Sequence, residues 1–342
     1  AGVPRRRVMN SSSNMNKHSI HSMIHSSRRT VTEVVSSKTF FLVCSFVFLV
    51  LALDQGSSLK VFDRTVDLPT YSFFSSRSDV YMQSLGDYLS KTGLGLSGEG
   101  TVVGVINRFL SKVTMGRTLG NGPIIFAILA NGAIVAYHSC VLALDLLFTK
   151  QRPQRREKEG EKKHGDDDDF MTRNEVHLKG ALRFAIILVF GYVSGGKGFG
   201  AETFTMDLLK SYFGRMRPAQ STSLASLAFP SGHTNGTSFF VGSLYALMLP
   251  NLCKALKTNP GLTRPKLGTA AGSLFESVCL DYWSVWWGGL VVLTAFGRVV
   301  MNRHWVSDTL AGGIFGAAVV SLQCGTCLFV EKKIFERNEN EN

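Results

Sequence analysis

Two histidines, one carboxylate and three cations, gathered in two short segments, are the residues of this sequence best placed to do chemistry. The later segment runs Gly297-Arg298-Val299-Val300-Met301-Asn302-Arg303-His304-Trp305-Val306-Ser307-Asp308. His304 and Asp308 are four apart, adjacent on a helix face, so the carboxylate is placed to accept an imidazole N–H. That bond would fix the tautomer and leave the other ring nitrogen free as a nucleophile. Arg298 adds a cation beside them.

The earlier segment holds the other two cations. Lys210 and Arg217 are seven residues apart, close to two helical turns, so on a helix they share one face about 10 Å apart. Pro218 disfavours helical geometry at Arg217 and ends the helix there. Two cations on one face suit an oxyanion, and arginine's planar fork can grip two oxygens. Next comes Phe229-Pro230-Ser231-Gly232-His233-Thr234, directly before an apolar block. Ser231 is a fitting N-cap, and Gly232 lets backbone approach a ligand closely. The unpaired N–H groups and dipole of that helix start make an anion site, with His233 at its edge to carry a proton. Taken singly, each element has a structural reading: a basic interfacial helix, a capped turn, a structural His–Asp pair.

The elements that must position these residues are apolar. Of 342 residues 45% are hydrophobic and only 18% charged, with a net charge of +12; soluble chains carry about 25% charged residues. The depletion is concentrated in six blocks, residues 39–53, 122–148, 180–194, 237–252, 284–297 and 309–330. A spanning helix needs about 20 residues, which the second and sixth blocks reach unaided. The first and fifth are short and the third carries Arg183, so each needs flanking residues, snorkelling or local thinning. These features exclude a soluble globular chain and a disordered one. The basic residues lie between apolar blocks rather than along one face, which argues against nucleic acid as partner.

Charge places the loops. With the N-terminus inside, 23 of the 37 Lys and Arg fall in inside segments, 13 outside, and Arg183 within a block. That bias follows the positive-inside rule and puts both chemistry-bearing segments at the non-cytoplasmic interface. The expected architecture is an all-α integral membrane bundle of six spans, residues 39–330, followed by a polar tail over 331–342. Residues 1–38 hold nine Ser, seven Lys and Arg and one acid, Glu33. That composition resembles an organellar transit peptide, which would make an endomembrane or plastid the compartment, with a basic tail at an anionic leaflet as the alternative.

Other polar features read as structural. Asp166–Asp169 lack a Gly-ordered ligand loop and read as a solvated loop. Cys324 and Cys327 have redox-motif spacing but lie within the last apolar block. His138 and Asp145 share a face of the second block and read as packing contacts, with a part in substrate access as the rival. Trp283, Trp286 and Trp287 read as an interfacial belt.

Taken jointly, the order Lys-x6-Arg-Pro, Pro-Ser-Gly-His, Arg-x5-His-x3-Asp over residues 210–308 resembles the type 2 phosphatidic acid phosphatase superfamily, in its lipid phosphate phosphatase-like membrane branch. The superfamily includes lipid phosphate and polyprenyl diphosphate phosphatases and the vanadium haloperoxidases, whose soluble branch the apolar blocks argue against. The resemblance implies that His304 attacks phosphorus to give a phosphohistidine, that Asp308 orients it, and that His233 protonates the leaving oxygen. It implies that Lys210, Arg217 and Arg298, with the N–H groups of Ser231 and Gly232, hold the phosphoryl oxygens, so that no metal or other cofactor is needed. The implied substrate is a lipid phosphate or diphosphate met in the bilayer. A non-catalytic lipid-binding membrane protein is the rival class; the one departure from the pattern, Gly297 where the family often has Ser, is the only feature in its favour.

Overall fold

Apolar blocks too short to cross a bilayer alone acquire the missing length from their flanks. The computed structural model describes residues 31–57, 60–73, 112–151, 166–194, 203–218, 227–258 and 280–335. Among these the chain is all-α, and six helices are long and apolar enough to cross a membrane. A short helix α1 (Val31–Val35) precedes α2 (Lys38–Gly56), the first of the six. Ser37 caps α2 by accepting the Phe40 N–H at 3.1 Å, which adds a turn to the first apolar block. A π-helical turn, Asp63–Asp67, follows. Then come α3 (Lys112–Gln151), α4 (Asp166–Ser194) and the short α5 (Phe204–Phe213). Next, α6 (Gly232–Ser243) passes through a π-helical turn into α7 (Leu249–Thr258) as one span. The last two are α8 (Trp283–Val300) and α9 (Val306–Phe335).

α6 is the axis of the bundle. Every residue of it except His233 is buried, and it packs on α9, α3 and α8. Close approach to α9 rests on Gly312 and Gly316, spaced as a small-x-x-x-small pair. A Cβ at 312 would overlap the Ser231 carbonyl oxygen, and one at 316 would lie 2.6 Å from the Asn235 carbonyl oxygen. By contrast α2 presents Leu42, Val43, Phe46 and Leu53 outward, as a lipid-facing helix does.

The third span tolerates its arginine because a partner is supplied. Arg183 Nε and Nη2 donate to Glu331 Oε1 and Oε2 at 2.5 and 3.0 Å, and Nη1 donates to the Leu247 carbonyl at 2.9 Å. A bidentate, fully bonded pair is the arrangement in which a buried charge is sustainable.

Several expectations need correction. The residues ahead of the first span are not all tail: Val35 is buried, its carbonyl accepts from Ser321 Oγ at 2.6 Å, and Thr32 Oγ1 donates to Ala246 O. Residues 1–30, and with them the transit-like segment, lie outside the described residues. Asp166–Asp169 do not form a loop but open α4. Trp287 is no interfacial anchor: it is buried, its Nε1 donates to the Ser238 carbonyl at 2.9 Å, and its ring fills the space that Gly242 leaves. The packing reading of His138 and Asp145 needs no such change: His138 is buried with Nδ1 2.9 Å from His177 Nδ1, and Asp145 accepts from Asn174 at 2.7 Å. Cys324 and Cys327 are buried free thiols.

Candidate active site

Five chain segments meet at one end of the bundle: the Asp63–Asp67 turn, α5 with the stretch after it, the start of α6, the end of α8 and the start of α9. Lys210 lies in the last turn of α5 and is buried. The helix stops earlier than proline alone would dictate. Gly214 adopts φ 59°, a left-handed cap whose N–H donates to the Lys210 carbonyl at 2.9 Å. Arg217 therefore stands outside the helix, and the two cations do not share a helix face as their spacing suggested. They converge all the same. Lys210, Arg217 and Arg298 all act electrostatically on His304.

The start of α6 is built as expected, with Ser231 Oγ accepting from Thr234 N at 3.5 Å and from Thr234 Oγ1 at 3.1 Å. One expectation fails here. The Ser231 N–H is already spent, donating to the Asp308 carbonyl oxygen at 2.9 Å, so it is not available to a phosphoryl group. Its work is to tie the start of α6 to that of α9. Gly232 and His233 form the first turn, where helix N–H groups have no partner within the helix. Gly232 is buried and His233 half-buried.

The turn between α8 and α9 carries the rest. Asn302 takes φ 54°, a left-handed conformation that asparagine accepts more readily than most residues. Arg303 N donates back to the Arg298 carbonyl at 3.1 Å. Arg298 is buried over Gly120 of α3, where a Cβ would lie 3.0 Å from its Cδ, and among the described residues its Nε has no hydrogen-bond partner.

His304 is 2% exposed. Its Nδ1 lies 2.9 Å from the Ala228 carbonyl oxygen and 3.6 Å from Asp308 Oδ2. The hydrogen bond expected from Asp308 is thus made by a backbone carbonyl. A carbonyl only accepts, so Nδ1 carries the hydrogen and Nε2 the lone pair. Burial, reinforced by the three cations Arg298, Arg217 and Lys210, holds the imidazole well below its ordinary pKa; the Ala228 bond opposes this. The ring is neutral at physiological pH.

Asp308 is fully buried and answers to other partners. Its Oδ2 accepts the Trp305 N–H at 2.9 Å, a cap for α9, and its Oδ1 accepts from Arg215 Nη1 at 2.7 Å. Arg215 is the residue that sequence reasoning passed over, as a spacer between Lys210 and Arg217. Its guanidinium also meets Ser307 Oγ at 2.5 Å, Asp67 Oδ2 at 2.9 Å and Asp63 Oδ1. Asp67, 1% exposed, in turn accepts the Ser307 N–H at 3.0 Å and the Ser307 hydroxyl. Burial raises the Asp63 carboxyl above its usual range, with Arg215 pulling the other way. Arg215 also lies 5.3 Å over the Trp305 ring and lines a cleft of ≈ 390 Å³ with Asp63, Asp67 and Met216. No sequence signal ties Asp67 to Ser307, 240 residues away; the extra arginine in Gly214-Arg215-Met216-Arg217-Pro218 was the one visible sign.

Chemically, the end of the bundle offers a neutral imidazole with one defined lone pair, three cations around it and a helix start beside it. Residues 184–325 match the family model of the PAP2 superfamily, which bears out the resemblance read from the three motifs. A solved structure described as the first transmembrane PAP2 type phosphatidylglycerolphosphate phosphatase from Bacillus subtilis is similar at 15% identity. That similarity covers 86% of this chain and 96% of that one, with a TM-score of 0.38. No curated protein matches the chain.

Proposed function

We propose that the protein is a metal-independent phosphatase that hydrolyses a lipid phosphate or diphosphate through a phosphohistidine at His304. The observation that carries this reading is the tautomer of His304: Nδ1–H donates to Ala228, and the lone pair on Nε2 stands in a field of three cations. In the first step Nε2 forms a bond to phosphorus and the ester P–O bond breaks. His233, protonated at the outset, gives its proton to the leaving oxygen. In the second step water attacks phosphorus, its proton passes to His233, and the N–P bond breaks to release inorganic phosphate.

Lys210, Arg217 and Arg298 hold the equatorial oxygens, with the Gly232 N–H at the helix start contributing and Ser231 shaping that start. Phosphoryl transfer asks mainly for positioning and for charge stabilisation, and fixed cations supply both. Asp308, 3.6 Å from Nδ1, acts as a nearby negative charge that favours the imidazolium-like phosphohistidine, and it holds the α9 start in place.

The phosphatase domain spans residues 39–330, with the site at the non-cytoplasmic face; the Lys and Arg bias of the loops supports that orientation. Single cysteines replacing Met216 and Ile334, both exposed, should be labelled from opposite sides of the membrane in a cysteine-free background.

The direct test is phosphate release by detergent-solubilised protein from a panel of lipid phosphates in excess chelator. Turnover should persist in chelator, stop with vanadate, and be accompanied by an acid-labile phosphoenzyme. Loss of turnover in chelator, restored by magnesium, would remove the proposal.

A further inference from the structure

Two stripes of small and aliphatic residues, one on α8 and one on α9, run toward His304. On α8 they are Gly288, Val292, Ala295 and Val299, spaced three or four apart and so on one face. On α9 the matching stripe is Val306, Leu310, Gly313 and Ala317. Between them lies an apolar groove of ≈ 460 Å³, lined by both helices and closed at the far end by Phe40 of α2 with Trp283 and Trp287. Those three rings form a connected floor, with centroids 6.2 Å apart for Phe40–Trp287 and 5.7 Å for Trp283–Trp287.

At its other end the groove reaches Val306, which also lines the cleft at His304 together with Val299 and Asn302. From Trp283 to Ala295 is twelve residues of helix, about 18 Å. That is close to half of a ~30 Å hydrocarbon core, the depth of one leaflet. The groove is held open by absence of side chains. A Cβ at Gly288 would meet nothing within 4 Å, while one at Gly313 would press on Val291 at 3.1 Å.

We propose that this groove holds one hydrocarbon tail of the substrate, and that Phe40, Trp283 and Trp287 set the tail length it accepts. The inference rests on the lipid phosphate reading above and adds to it the surface that recognises the tail. Its occupant is the tail of the molecule whose phosphate lies at His304, because the groove ends at Ala295 and Val306, one helical turn before Arg298 on α8 and just after His304 at the start of α9.

The experiment pairs Gly288→Phe, which fills the groove midway, with the graded Gly288→Ala. Each is assayed on a dipalmitoyl and on a dihexanoyl phosphatidic acid. In Gly288→Phe the ratio of kcat/KM for the long over the short substrate should fall about tenfold or more, in line with the sensitivity of apolar pockets to misfit. Gly288→Ala should shift it far less. Activity on the short substrate should stay at the wild-type level, which also reports that the variant folds. An unchanged ratio, or equal loss on both substrates, overturns the proposal.

A second measurement does not need turnover. Phosphatidic acid with a diazirine midway along one tail, in phosphatidylcholine vesicles, should label α8 or α9 within the groove upon irradiation. It should do so more than phosphatidylcholine carrying the same tail, and Gly288→Phe should suppress the difference. Labelling by the phosphatidic acid probe in protein that releases no phosphate would sink the phosphatase reading and leave the groove standing. Equal labelling by both probes would mean that the face meets only bulk lipid, and the groove proposal would fall.

Discussion

The Nδ1 of His304 lies 2.9 Å from the backbone carbonyl of Ala228, nearer than the 3.6 Å to the carboxylate of Asp308. The contact joins the start of α9 to the residue just ahead of Phe229 and Pro230, so the His304 ring is oriented by the segment that delivers the second motif. Ser231 N–H returns the link by donating to the Asp308 carbonyl. The two motifs are thus tied in both directions, once through the His304 ring and once through backbone alone.

Because His304 titrates well below the usual imidazole value, its protonation should not limit the reaction in mild acid. The sign follows from linkage: the unfolded chain takes a proton on this histidine near the ordinary pKa of ~6.5, whereas the folded protein takes it only at lower pH. His304 therefore contributes stability that is retained above ~6.5 and lost as pH falls through the window beneath it. The rate of phosphoenzyme formation should not fall as pH drops through ~6.5, measured by rapid quench with an aryl phosphate whose own second ionisation lies below that window. A fall with a midpoint near 6.5 that disappears in no other histidine variant would contradict the assignment.

Arg215 should behave as a positioning residue. Its guanidinium reaches Asp308, Ser307, Asp67 and Asp63, so Arg215→Met leaves buried carboxylates uncompensated. Breaking such a buried ion pair costs about 3–5 kcal/mol, to be read as a large drop in thermal midpoint. Arg215→Lys keeps one charge but cannot bridge several acceptors in a plane. It should fold, lower kcat and leave KM nearly unchanged, since the Arg215 guanidinium is committed to Asp308, Ser307, Asp67 and Asp63 rather than to a phosphoryl group. Asp67→Asn should reproduce the kcat effect through Ser307, and the double variant should be less than additive. Full additivity would mean that the two residues act separately.

The six helices and the three motif segments were legible in the sequence because apolar blocks and fixed spacings are local signals. What was not legible is also explicable. Gly214 ends α5 three residues before Arg217, since a left-handed glycine cap stops a helix sooner than the following proline does. The acceptor for His304 is a backbone carbonyl, which no side-chain pattern reveals. Asp67 and Ser307 meet across 240 residues of chain. Gly312 and Gly316 did carry a signal, the small-x-x-x-small spacing, whose partner only the packing of α6 identifies.

That packing yields a sharp test. A Cβ at position 312 overlaps the Ser231 carbonyl, whereas position 325 on the same helix has nothing within 4 Å. Gly312→Ala should push the start of α6 away from His304 and cost about 10²-fold in kcat, the effect of a small misplacement in a site that works by orientation. Overpacking should also lower stability by about 1–3 kcal/mol. Gly325→Ala should be neutral in both assays, or slightly stabilising, because alanine is the better helix former. Equal behaviour of the two variants would show that the α6–α9 contact does not set the geometry.

The two histidines share a side chain but are placed for different work. His304 is buried, with Nδ1–H committed to Ala228 and its lone pair on Nε2; His233 stands half-buried in the first turn of α6. A group that forms the covalent bond cannot be replaced by a better leaving group, but a group that protonates the leaving oxygen can. His304→Ala should therefore abolish turnover and the acid-labile phosphoenzyme with every substrate. His233→Ala should lower turnover of an alkyl phosphate by about 10²–10⁴-fold, the usual worth of general acid help. With aryl phosphates its rate of phosphoenzyme formation should recover as the pKa of the leaving phenol falls. Rapid-quench labelling across such a series gives a steeper dependence on leaving-group pKa for His233→Ala than for the wild type. Phosphoenzyme retained in His304→Ala and lost in His233→Ala would reverse the two roles.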